Sequence, residues 1–269
     1  MSVFTTPEPV SATVEVAGAQ VRVTASDRTD TAVHVEPADP ANRSHVKVAE
    51  KTKVAFADGR LSVKTTTSGE KDGSVVITID LPTGSGLAAY LAYSTVRADG
   101  SFGDCELHQA SGRVRLERVG ALRASVSSGE VVVGHITGGA TLDGAAFEAR
   151  IGTIDGAIEV SSSGGRIDID RADGDVTVET AGGAIRIGCL TNGRAKLRNA
   201  SGDIEVGVDE GAAVSTDVSS ERGVVHNFVV PQGEPDATAA RVSVHARTRR
   251  GDITVRRAAA QAASVVSTR

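Results

Sequence analysis

The chain has 269 residues, a formal net charge of −5 and a hydrophobic fraction of 40%, yet its aromatic fraction is only 3% and it has no tryptophan. Acidic and basic residues are interspersed rather than blocked, so no single-sign field marks a nucleic-acid or membrane-surface partner. With no basic start and no apolar run of signal-peptide or transmembrane length, the chain is expected to be cytoplasmic, without membrane insertion.

From Met1 to about Gly86 alternating runs recur at Ala12–Val16, Gln20–Thr24, Thr31–Val35, Lys51–Phe56, Arg60–Lys64 and Ser74–Leu81, separated by Ala17-Gly18, a Pro37/Pro40 segment, Asp58-Gly59 and Lys71-Asp72-Gly73. Asp58-Gly59 between two apolar alternations is a hairpin signal. The first third is therefore expected to be antiparallel or mixed β structure, and residues 1–86 are read as an irregular β-strand cap that merges into the first coils of a repeat array.

After Leu81-Pro82-Thr83-Gly84-Ser85-Gly86 a long strand is expected over Leu87–Val96, and Gly103 opens the first recognisable repeat. The repeat is clearest from Gly156 to Val206, where GAIEV, GRIDI, GDVTV, GAIRI, GRAKL and GDIEV open at Gly156, Gly165, Gly174, Gly183, Gly193 and Gly202. Each unit is a glycine turn followed by a strand with one apolar face. Such a unit cannot bury that face alone, so neighbours must stack and share a core. Two units of nine make a coil of about 18 residues, and a core so poor in rings suits narrow layers of Val, Ile, Leu and Ala. The fold expected is thus an all-β solenoid, residues 87–256, with 257–269 as a tail that is either frayed or a small helical lid. Across Thr141–Ile151 the motif blurs while the register survives, which points to a corner or bulge there. Arg241–Thr248 and Gly251–Val255 are expected to close the array as its last unit.

Enzymatic signatures are missing. Six histidines share no metal-ligand spacing, the glycine-rich segments lead into strands rather than helices, and the two cysteines stand apart, with Cys105 at an inward position of its repeat. Aspartates near the Gly-Gly pairs lack the spacing of a calcium nonapeptide, so no metal and no cofactor is expected. Regular outward carboxylates (Glu130, Glu159, Asp168, Glu205) with few rings near them read as a solvated face, which disfavours a polysaccharide-cleaving cleft. Arg247, Arg249, Arg250, Arg256 and Arg257 form the densest basic cluster and are the candidate interaction surface; for nucleic acid the chain lacks stacking aromatics. A small-molecule substrate is likewise disfavoured.

Several phrases carry a resemblance: SGDIEV (201–206), GGRIDI (164–169), SGEVVV (128–133), FTTPEPVSA (4–12), ASDRTDT (25–31) and LPTGS (81–85). They resemble the bacterial DUF4097 family, a group of candidate adhesins, most closely its actinobacterial branch. The resemblance covers nearly the whole chain. It implies a right-handed β-helix and brings no catalytic residues; some members of the family belong to envelope-stress systems. The expected function is a non-enzymatic scaffold that binds a protein partner, or itself, through a strand face or an end. Two alternatives are a self-assembling polymer resembling bactofilins and a polysaccharide-binding or polysaccharide-active β-helix.

Overall fold

The computed structural model describes residues 1–65, 74–229 and 240–258. The chain begins with β1 (Ser2–Thr5), β2 (Ser11–Ala17) and β3 (Ala19–Ser26), then β4 (Asp30–Pro37), helix α1 (Arg43–Lys51), β5 (Lys53–Ala57), β6 (Arg60–Lys64) and β7 (Val75–Pro82). Each coil lays one strand on a first sheet and the next on a second. In the first coil β2 and β3 take these places, turning at Gly18, whose φ of 63° suits a residue without a side chain.

The cap is smaller than residues 1–86. β2, β3, β6 and β7 are already parallel coil strands, while β1, β4 and β5 run antiparallel to theirs. Asp58 (φ 50°) and Gly59 (φ 71°) make the expected hairpin between β5 and β6. The segment between Pro40 and Lys51 is helical instead of irregular. Asn42 Oδ1 accepts from the Ser44 amide at 2.9 Å and caps α1, which lies on β4 and β7 and buries Val48. Phe4 and Phe56 stack at 4.9 Å, joining β1 to β5 over the end of the core. The Lys71–Gly73 turn lies outside the described residues.

The array continues with β8 (Gly86–Ala92), β9 (Ser94–Ser101), β10 (Cys105–Gln109), β11 (Gly112–Val119), β12 (Leu122–Ile136), β13 (Ala140–Ile154), β14 (Ile158–Gly164), β15 (Ile167–Asp173), β16 (Val176–Thr180), β17 (Ile185–Asn199) and β18 (Ile204–Val208). The single strand expected over Leu87–Val96 is broken into β8 and β9 by a corner at Tyr93, which holds a φ of 51°. On the first sheet the inward residues Leu87, Cys105, Leu122, Ala140, Ile158, Val176 and Ala195 pair in sequence, at steps of 17 to 19 residues. Val96, Val114, Val131, Ala149, Ile167, Ile185 and Ile204 do the same on the second. All fourteen are buried. Parallel strands about 4.8 Å apart thus stack like with like, and the core is a column of aliphatic rungs.

Between the two sheets the corner is held by buried polar side chains. Ser162, Thr180 and Thr248 hydroxyls donate to the carbonyls of Gly164, Gly182 and Arg250, Asn199 Nδ2 donates to Gly183 O at 2.7 Å, and Gln109 Nε2 donates to Gly112 O at 2.9 Å. These bonds satisfy turn carbonyls that the ladders leave over. Glycine is required outside this ladder. Gly183 has φ +98°, and a Cβ built there would lie 1.9 Å from the carbonyl oxygen of Gly165 on the previous coil.

The chain ends with β19 (Ala213–Ser220), β20 (Val225–Asn227), β21 (Arg241–Thr248) and β22 (Ile253–Arg257). β21 pairs with β17 on one side and β19 on the other, and β22 with β18 and β20. The unit expected to close the array is therefore inserted between two earlier ones, and the outermost coil is β19–β20. The reason is in composition: Val242, Val244, Ala246, Ile253 and Val255 are all buried, and only a position with neighbours on both sides buries them fully. At the other end β2 and β3 are likewise enclosed, with β6 and β7 outside them and β8 and β9 inside. The Pro231–Pro235 loop and the tail beyond Ala258 lie outside the described residues.

Candidate interaction surface

Along the outside of the second sheet, opposite charges meet at several rungs. Glu130 sits between Arg113 (2.7 Å) and Arg150 (3.7 Å), Asp168 between Arg166 (3.1 Å) and Arg186 (2.6 Å), and Arg256 holds Glu205 at 2.6 Å. Three of the four outward carboxylates singled out in the sequence thus form cross-strand ion pairs, each worth a few tenths to about 1 kcal/mol. Among the described residues the carboxyls whose pKa is displaced, Asp30 and Asp217, are both moved below the ordinary 3.8 by hydrogen bonds from Arg28 and Arg247. Such groups stay ionised and do not serve as the proton donor that glycoside cleavage needs.

Cys105 is buried and desolvation pushes its thiol up to about 12; Cys189 is raised in the same way beside Arg171. Cys105 is thus a core packing residue rather than a nucleophile, while Cys189 lies partly exposed on the outer face. Among the described residues no group of three or more His, Cys, Asp or Glu side chains is placed to hold a metal ion, and no helix is long and apolar enough to cross a membrane.

The profile of Toastrack DUF4097 matches residues 11–256. The chain belongs to the DUF4097 family. Solved structures similar to this Toastrack chain include a candidate adhesin from Parabacteroides merdae (12% identity, 93% of this chain and 94% of that one, TM-score 0.43). Another is a candidate adhesin from Parabacteroides distasonis (12%, 95% and 95%, 0.40), and a third a candidate cell adhesion protein from Clostridium sporogenes (10%, 95% and 98%, 0.25). No curated protein matches the chain.

The five candidate arginines of this Toastrack chain do not share one face. Arg247, outside the first sheet, grips Asp217 of β19 through both carboxylate oxygens at 2.7 Å and donates to its backbone carbonyl at 2.7 Å. Arg256 lies on the second sheet with Glu205, and Arg257 donates to the carbonyls of Asp209 (2.6 Å) and Ala212 (2.9 Å). These three bind the inserted coil to its neighbours. Arg249 and Arg250 are exposed at the corner with no side-chain partner among the described residues. Because Asp217 is held ionised by Arg247, its contribution is present above the unfolded value near 3.8 and is lost as pH falls below it. Amide protection of β19 is therefore expected to fall on acidification below that value before that of β13 or β15. Hydrogen exchange at stepped pH reads this order.

Two surface features were invisible to motif reading. The outer edges of β19 and β20 have no strand partner among the described residues, and Val224, Val225 and Phe228 stand 54%, 38% and 64% exposed there. On the side of the rod, Tyr90 and His108 stack at 4.8 Å with planes 3° apart. They are 18 residues apart, one coil, and only the coil length would have brought them together.

Proposed function

We propose that the protein is a non-catalytic β-solenoid scaffold that docks a protein chain, another copy or a different partner, by strand addition at its β19–β20 end. The observation that supports this most is the difference between the two ends. At the first, α1 and the Phe4–Phe56 pair cover the core, leaving Met1 and Val3 exposed at the margin. At the second, the parallel edge strands have no outer strand partner among the described residues, and the inward position of Val225, equivalent to Ile204 and Ile253, is 38% exposed. A parallel edge with an open apolar rung is a template for another strand.

The end is also adapted to stand free when unoccupied. Thr216 replaces the Ala195–Val244 rung and Asn227 the Val206–Val255 rung, and Asn227 Nδ2 donates to Thr216 Oγ1 at 3.0 Å across the interior. This polar rung lowers the apolar area shown to water while leaving the strand edges available. Arg249 and Arg250 extend the surface with two cations beside it.

Replacing Val225 and Phe228 together by lysine tests the reading. The double variant is expected to remain folded, since both side chains are exposed, and to lose the self-association or partner capture of the parent in sedimentation and pull-down. A strict monomer without partner, or binding that survives both lysines, contradicts it.

A further inference from the structure

The Tyr90–His108 stack stands on the side of the rod, in a chain with two tyrosines and no tryptophan, whereas the other ring pairs among the described residues, Phe4–Phe56 and His226–Phe228, sit at its ends. Both tyrosines are exposed, Tyr90 at 41% and Tyr93 at 51%. His108 Nε2 meets Glu106 Oε1 at 2.7 Å, which fixes the imidazole plane parallel to the phenol. Register places Ser125 on the next rung and Asp143 on the one after. Tyr90 covers one face of the imidazole; on the other, Ser125 is too short to cover it. The slot from His108 to Asp143 spans two strand spacings, about 10 Å. Ala92, Ala110, Ser127 and Ala145 form a shallow open groove beside it.

We propose that this slot binds one ring of a neutral linear glycan, stacked on His108 above Ser125, with its hydroxyls donating to Asp143. A ring face with an adjoining carboxylate and serine hydroxyls is the combination that recognises a sugar, whose apolar face stacks and whose rim hydrogen-bonds. Charge narrows the choice. Glu106 and Asp143 flank the slot and Arg123 stands in register beside Glu106, so one net negative charge remains, which disfavours phosphate, sulfate or uronate polymers and nucleic acid. Spacing narrows it further. The rungs repeat about every 4.8 Å, whereas an extended peptide advances about 3.3 Å per residue and falls out of step with them. The groove does not stop at the slot, since the neighbouring coils carry Ser161, Glu179 and Arg198 over Ala181 and Ala200. A chain of sugars thus has polar rungs to follow.

The far end of this groove reaches Ser219 of β19, but the stacking slot itself lies on β10, β12 and β13, several rungs away, so each reading stands or falls alone. Cellohexaose, chitohexaose and maltohexaose are titrated calorimetrically into the full chain, with a sulfated hexasaccharide as the anionic comparison. At least one neutral hexasaccharide is expected to bind, and Tyr90→Ala and His108→Ala each to weaken it about tenfold, the scale of one lost stacking contact. His108→Phe, which keeps a ring, is expected to retain binding, and Arg166→Ala, on the second sheet, to leave it unchanged. The proposal is overturned if none of the three neutral sugars binds at millimolar concentration. It is equally overturned if the sulfated sugar binds best, or if the alanine variants bind as the parent does.

Discussion

Gly183→Ala is expected to cost about 3–5 kcal/mol of stability. The left-handed φ of +98° penalises any Cβ by about 1–2 kcal/mol. The larger share comes from the carbonyl of Gly165 at 1.9 Å, because backbone cannot step aside without breaking the ladder between two coils. Gly164→Ala, one residue before the glycine equivalent to Gly183 on the previous coil, is the control. Nothing lies within 4 Å of a Cβ there, so a change of about 0.5 kcal/mol or less is expected. Urea unfolding of both variants by circular dichroism reads the difference, and equal midpoints would contradict the stacked corner.

Phe147→Ala carries the second large effect, about 3–5 kcal/mol. Phe147 is among the largest fully buried side chains. It stands in register between Gly129 and Gly165, where the repeat elsewhere puts a turn glycine, and the corner rung that is Gln109 or Ser162 in other coils is here Gly144. A Cβ at Gly144 would come within 3.0 Å of the phenylalanine ring. The two exchanges compensate in volume, the bare glycine making room for the ring. Removing the ring leaves a cavity inside a closed column that cannot collapse without shifting rungs on both sides. Phe228→Ala, an equally large truncation at a site 64% exposed, is expected to cost about 0.5 kcal/mol or less.

That same position shows how far the sequence could be read. The blurred stretch at Thr141–Ile151 was legible as a disturbance because 36 residues separate Gly129 from Gly165. Its cause was not, since the Gly144–Phe147 compensation needs the coil's cross-section. The coil length itself was open to reading: glycines every nine residues with inward aliphatics after them can pack only by stacking. What escaped was order along the rod. Nothing in GDITV marks β22 as an inserted strand rather than a final one, because its residues satisfy the same local pattern in either place; only burial on both sides separates the two. The helix over Arg43–Lys51 was hidden for a related reason: it is amphipathic, with Val48 buried and Val46 and Ala49 half-buried, but in so short a segment Val46-Lys47-Val48 satisfies strand alternation equally well, and the Asn42 cap was the remaining signal.

Interaction surfaces were less legible than the core. The arginine cluster Arg247–Arg257 is dense in sequence, but strand alternation and the corner distribute it over two sheets, and three of the five are spent on neighbouring coils. Conversely, Tyr90 and His108 are ordinary residues apart and become a platform only at a separation of one coil. In a solenoid, proximity runs at the period of the coil, so residues about 18 apart carry more of the surface chemistry than residues two or three apart.

The difference between the two ends is the centre of the functional account, and it can be probed in one measurement. A photo-cross-linking amino acid is placed at Phe228 in one protein and at Ala41, beside the helical cap, in another, and both are irradiated in lysate of the native host. Covalent products from position 228, as a dimer or with one recurrent partner, and none from position 41 are the result expected of a rod that docks by its β19–β20 end. Products from position 41 alone, or from neither, would contradict it.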